Sequence, residues 1–198
     1  MLKNLPPATR ALLLINFGVF ALQFLTGPRL LEWFALWPPG TIFEPWQLIT
    51  YSFLHEGFLH ILLNMFALFM FGTPLERYWG SGRFIVFYLV CVLAAALTQQ
   101  TVAQFAHSQS PTLGASGGIF GLLLAFAVYF PRQRIILLFP PIPLPAWAFV
   151  TIYGLIELFQ GVRGYQTDVA HFAHLGGMLG GAAMILAWRV KDGAPKPR

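Results

Sequence analysis

The chain has 198 residues, 57% of them apolar and 10% charged, against roughly 25% charged in soluble domains. With a mean hydropathy of +0.67 it belongs in a bilayer. The net charge of +5 does not mark a nucleic-acid binder, because the basic residues are scattered in short loops beside apolar spans, with no basic groove of stacking aromatics. The length suits one domain, and the single Cys91 excludes an intramolecular disulfide framework.

Six spans of about 20 residues fit this length. The first is expected over 11–26. Its basic flank, Lys3 and Arg10, would suit a signal peptide, but no small-x-small cleavage site follows, and 26–29 reads as a turn. The connection 28–57 carries Trp33, Trp37 and Trp46 around Pro38-Pro39-Gly40. Aromatic rings prefer the lipid–water interface, so this segment is expected to be a structured loop in the outer leaflet. The second span, 58–72, places His60 and Asn64 on one helix face. Phe66, Phe69 and Phe71 read as lipid and core contacts. The third span covers 84–105, and His107 after it reads as an exposed loop residue. The fourth, 116–130, opens on Gly114-Ala115-Ser116-Gly117. The fifth, 144–160, carries Glu157 near its outer end; the sequence leaves open whether it hydrogen-bonds within the bundle or lines a water-filled recess. The sixth, 169–190, carries His171 and His174, with Asp168 as a helix cap at its edge. Residues 1–190 are expected to form the single domain and 191–198 a short cytoplasmic tail.

Charge sets the expected orientation. An even number of spans puts both termini on one side, with Lys3, Arg10, Arg189, Lys191, Lys196 and Arg198. Loops on that side hold Arg77, Arg83, Arg132 and Arg134, which makes ten of the twelve basic residues; Arg29 and Arg163 lie opposite. The positive-inside rule then places both termini in the cytoplasm.

This orientation brings chemistry together. Ser116 begins a span entered from outside, and His174 lies about five residues, roughly 8 Å, into another. A serine nucleophile needs a base to take its proton, and ionisable groups inside a membrane mark function by default. Backbone amides at the start of the fourth helix lack intrahelical partners and can bind a developing oxyanion. Gly117 and Gly121, and Gly177 and Gly181, form G-x-x-x-G steps that let two helices approach. His174, not His171, lies on the glycine stripe, and His171 is expected nearer the water at the span edge. His60 and Asn64 are candidate oxyanion donors, a role compatible with plain interhelical hydrogen bonding. No metal or other cofactor is expected: His55-Glu56 with the next histidine at His60 misses the H-E-x-x-H spacing, and on a helix the two histidines would point apart.

Four motifs now carry a family resemblance. The stretch from His55 to Asn64, H-E-G-F-L-H-I-L-L-N, resembles the second-helix signature of rhomboid intramembrane serine proteases. Glu76-Arg77-Tyr78-Trp79-Gly80-Ser81-Gly82 resembles that family's turn into the third helix. Gly114-Ala115-Ser116-Gly117 resembles its G-x-S-G nucleophile motif, and Ala173-His174-Leu175-Gly176-Gly177 with Gly181 its sixth-helix histidine motif. The resemblance implies an all-α membrane protein, a six-helix bundle with a membrane-associated first loop. It implies a Ser-His dyad with no acidic third member, in which Ser116 attacks and His174 is the base. His60, Asn64 and the Ser116 amide would stabilise the oxyanion, and the fifth helix would gate lateral substrate entry. The implied partners are the lipid bilayer and transmembrane helices of single-pass proteins, cut near the outer face of a prokaryotic inner membrane. The alternative is a non-catalytic relative that binds membrane helices. One departure stands out: the family's W-R-x-x-T pattern reads Trp46-Gln47-Leu48-Ile49-Thr50 here, which puts anchoring of the first loop in doubt.

Overall fold

The computed structural model describes residues 4–137, 141–163 and 170–192. Helix α1, Pro7–Thr26, starts on a proline, whose missing N–H costs nothing in a first turn, and stops at Gly27 with φ +62°. The short helices α2, Arg29–Phe34, and α3, Gln47–Thr50, belong to the long first connection, followed by a 3-10 turn at Tyr51–Phe53. Helix α4, Phe58–Ala67, a π-helical stretch, Leu68–Gly72, and α5, Thr73–Trp79, form one rod. Then come α6, Ser81–Ala106, and α7, Ser116–Tyr129. A β-hairpin pairs β1, Arg134–Ile136, antiparallel with β2, Pro143–Pro145. Helices α8, Ala146–Arg163, and α9, His171–Asp192, complete the described chain.

The second rod runs past the expected end at 72, and the π stretch explains how. A proline crowds and leaves unbonded the carbonyl four residues before it. For Pro74 that residue is Met70, which lies inside the widened turn, so the helix continues through Trp79. Helix α9 reaches Asp192, two residues beyond the expected domain edge. Asp168 and residues 193–198 lie outside the described residues, so the expected cap and most of the tail are not placed.

By length and composition, three of the described helices can cross a membrane: Pro7–Thr26, Phe58–Trp79 and Ser81–Ala106, with mean hydropathies of 1.6, 1.7 and 1.9. Helix α7 is apolar but has only 14 residues. Helix α9 has 22, but glycines, histidines and basic residues dilute it. Large apolar side chains such as Phe24, Leu25, Phe58 and Phe105 point outward, as lipid contact requires.

Helix α7 sits at the centre, with most of its residues buried against α6 and α9. Glycine makes this approach possible. A Cβ on Gly177 would land on the Gly117 carbonyl, and one on Gly181 would sit 3.2 Å from the Gly121 carbonyl. The two expected G-x-x-x-G steps therefore face each other across the α7–α9 contact.

At the end of the bundle away from Ser116, buried Glu76 ties three helices. Its carboxylate accepts from the Ala8 and Thr9 amides at 2.8 and 2.6 Å, from the Thr9 hydroxyl at 2.7 Å and from the Ser81 hydroxyl at 2.7 Å. A carboxylate on the orphan amides of α1 satisfies both the donors and the helix dipole.

The first connection is well tied. Gln47 is fully buried; its Oε1 accepts from the Trp37 amide at 3.1 Å, and its Nε2 donates to the Ile42 and Trp33 carbonyls at 3.2 and 3.4 Å. The glutamine thus holds the loop at the position of the departure. A reciprocal bridge between Leu36 and Thr112, at 2.9 Å each way, joins this loop to the segment leading into α7.

Candidate active site

Ser116 is the first residue of α7, and the turn before it is built around glycine. Gly114 has φ +124°, a conformation that L side chains rarely adopt. A Cβ there would fall 2.9 Å from His60 Nε2. Only glycine lets the His60 ring come this close to the serine, and the same Cβ position is 3.8 Å from Ser116 Oγ. The turn is fixed by a Gly114 amide bond to the Tyr51 carbonyl at 3.0 Å, and the Tyr51 hydroxyl donates to the Val92 carbonyl on α6 at 2.9 Å.

His174 lies in the first turn of α9. Its Nε2 is 2.8 Å from Ser116 Oγ, so residues 58 positions apart meet at the distance that a serine nucleophile and its base require. The imidazole lies flat on Phe120, at 4.1 Å and 7° between planes. Phe120 is one turn after Ser116 on α7, so a single helix presents both the serine and the platform for its partner. Tyr153 of α8 also stacks with Phe120, at 5.3 Å and 12°. Neither aromatic was picked out from the sequence, although the four-residue spacing from Ser116 to Phe120 is visible there.

The second ring nitrogen of His174 is also occupied. Nδ1 lies 2.9 Å from Glu157 Oε2, and the same oxygen lies 2.7 Å from His171 Nδ1. All three residues are buried. Two expectations change here. A carboxylate stands behind the base, where the resemblance implied a dyad with no acidic member. His171 is 4% exposed and not bathed by water, because α8 covers it: a Cβ on Gly161 would be 3.3 Å from the His171 Cβ. The sequence supplies the signal, a lone acid in an apolar helix, but its partner depends on how α8 is rotated.

On α4, Asn64 is buried and its Nδ2 donates to the His60 carbonyl one turn back at 2.9 Å, leaving the second amide hydrogen for another acceptor. His60 Nδ1 is 3.5 Å from the Glu56 amide, an approach in which it accepts and Nε2 carries the ring proton. That proton faces the Gly114–Ser116 turn. His55 packs edge-on against His60 at 5.1 Å. The expectation that these histidines point apart fails because α4 begins only at Phe58, so helical spacing does not relate them. Burial, with the His60 ring beside it, pushes the His55 imidazole down to about 4.

Among the described residues, Glu157, His171 and His174 are the His/Cys/Asp/Glu group compact enough to hold a metal ion, their ligand atoms lying within 4.8 Å of one another. Two histidines and a glutamate are a chemically sound zinc donor set. The nitrogen–oxygen separations of 2.7 and 2.9 Å are hydrogen-bond lengths. At these separations the three residues form a hydrogen-bonded, proton-sharing cluster.

Comparison with known proteins places this geometry in context. A family model described as the Rhomboid domain matches residues 43–190. Rhomboid protein 1, mitochondrial, of Saccharomyces cerevisiae is 33% identical over 192 residues, covering 95% of this chain and 54% of the yeast protein. Rhomboid protease GluP of Bacillus subtilis is 35% identical over 138 residues, 70% of this chain and 25% of that protein. Rhomboid protease GlpG of Klebsiella pneumoniae is 28% identical over 184 residues, 91% of this chain and 63% of that protein. The chain therefore spans less than two thirds of the length of each of these curated relatives.

Proposed function

The chain belongs to the rhomboid family, and from that premise we propose that it is an intramembrane serine endopeptidase cutting transmembrane segments of single-pass proteins. The observation that carries the proposal is the 2.8 Å contact between Ser116 Oγ and His174 Nε2 across two helices. In this reaction His174 Nε2 takes the hydroxyl proton as Ser116 Oγ attacks the scissile carbonyl. The resulting oxyanion accepts hydrogen bonds from the Ser116 amide, His60 Nε2–H and Asn64 Nδ2–H. The C–N bond then breaks, and His174 passes its proton to the leaving amine. Water attacks the acyl-serine with His174 again as base, and the second product leaves as a carboxylic acid.

The proposed setting is a bundle of six crossings, residues 1–190, with both termini in the cytoplasm of a prokaryote and the active site near the outer face. The charge asymmetry of the loops supports this orientation. The loop held by Gln47 would lie in the outer leaflet, and α8 would border the path of substrate entry. A helix shields its own carbonyls by hydrogen bonding, so substrates whose helix unwinds at Gly, Pro or polar residues are favoured.

Cleavage of a single-pass reporter by detergent-solubilised protein tests the proposal. Ser116→Ala removes one small oxygen, so it leaves the fold intact and reduces cleavage by orders of magnitude. Near wild-type cleavage by that variant overturns the serine mechanism and favours the reading of a non-catalytic helix binder with a contaminating activity.

A further inference from the structure

The geometry points to Glu157 as the positioning residue that fixes the tautomer of His174, with His171 as the brace that holds its carboxylate in place. This rests on Ser116 and His174 being nucleophile and base.

Proton accounting at one atom carries the inference. Glu157 Oε2 has two imidazole nitrogens at hydrogen-bond distance, His171 Nδ1 at 2.7 Å and His174 Nδ1 at 2.9 Å. An oxygen can donate at most one proton, so at least one of these nitrogens must donate to it. An ionised carboxylate accepts only, and it then satisfies both rings at once as Nδ1–H donors. That is the arrangement in which no proton is misplaced: His174 carries its hydrogen on Nδ1 and presents a bare Nε2 to the Ser116 hydroxyl at 2.8 Å. The opposite tautomer would aim an N–H at the serine and leave no base.

Burial makes the choice firm. Glu157 and His171 are each 4% exposed and His174 is 9% exposed, so water competes little for these bonds. A carboxylate buried in a bundle needs compensating donors, and two imidazole N–H groups supply them. His171 thereby does for Glu157 what Glu157 does for His174. When Nε2 takes the serine proton, the carboxylate already faces the imidazolium that forms. In serine proteases generally, replacing such an acid by its amide leaves the geometry in place but drops turnover steeply through the wrong tautomer.

Glu157→Gln tests this, because the amide keeps the shape but removes the negative charge that faces the imidazolium and replaces one acceptor oxygen by an N–H group. With the reporter substrate, the expected result is a fall in kcat of at least about tenfold with KM within about twofold. Nitrogen-15 spectra of histidine-labelled wild-type protein should show the His174 proton on Nδ1, and that signal should disappear in Glu157→Gln while the His60 signals stay. Turnover within twofold of wild type in a folded Glu157→Gln variant overturns the inference. So does a wild-type His174 protonated on Nε2, a measurement that needs no variant to fold. Ser116→Ala run alongside separates the two levels: cleavage surviving that change overturns the serine reading itself, whereas its loss with full turnover in Glu157→Gln overturns only the role of Glu157.

Discussion

At the scale of single residues, two hydrogen bonds define the site, Ser116 Oγ to His174 Nε2 at 2.8 Å and His174 Nδ1 to Glu157 Oε2 at 2.9 Å. Ser116 and His174 are legible because a hydroxyl and an imidazole stand out against apolar spans and each precedes a glycine step. The partners of Glu157 are not legible, since they depend on the rotation of α8 against α9. The burial of His171 follows from the same contact. His174→Ala should therefore eliminate cleavage, whereas His171→Ala should leave a clearly active enzyme whose loss is smaller than that of Glu157→Gln, because the Glu157–His174 bond survives. The reverse ranking in the reporter assay would mean that His171 is the base. His60→Ala and Asn64→Ala should lower kcat more than they raise KM, since their hydrogen bonds strengthen as charge develops. Each donor is worth about 3 kcal/mol, or roughly a hundredfold or more in kcat. A variant that weakened binding alone would move its residue to a structural role. His55 gives a stability prediction. Its folded value of about 4 lies below the ordinary 6.5, so the unfolded chain binds a proton that the folded chain refuses. Stability is full above about pH 6.5 and falls by up to about 3 kcal/mol as pH drops toward 4. Thermal melts across that window should be flatter for His55→Gln than for wild type.

At the scale of elements, hydrophobic runs and glycine spacing locate the helices, and their ends go astray where one local device intervenes. The second rod overshoots its expected end because the π stretch absorbs Pro74. The fifth span, expected from 144, begins as a helix at Ala146, because Pro143–Pro145 form the second strand of the hairpin. Gln47 shows how a loop keeps its anchor when an expected arginine is missing: one amide side chain meets three backbone groups. The glycine steps carry the sharpest prediction here. Gly177→Val puts carbon where the Gly117 carbonyl stands, so α7 and α9 must separate. Overpacking of this kind costs about 1–3 kcal/mol, and it also pulls His174 from Ser116. The melting temperature and the cleavage rate should both fall; a variant that melts and cuts like wild type would contradict the close α7–α9 approach.

At the scale of the whole molecule, two buried carboxylates tie helices of the bundle together. Glu76 joins α1, α5 and the start of α6, and Glu157 joins α8 to α9. The first is satisfied by backbone amides and hydroxyls and reads as architecture. The second runs through His174 to the hydroxyl of Ser116, the proposed nucleophile. The central claim, that the fold turns Ser116 into a nucleophile through His174, is tested most directly by covalent labelling. Detergent-solubilised protein is treated with a fluorophosphonate, with and without a chelator, and digested for mass spectrometry. The adduct should lie on Ser116, form equally with chelator present, and be absent from His174→Ala. An adduct on another residue, or one that forms undiminished in His174→Ala, would contradict it.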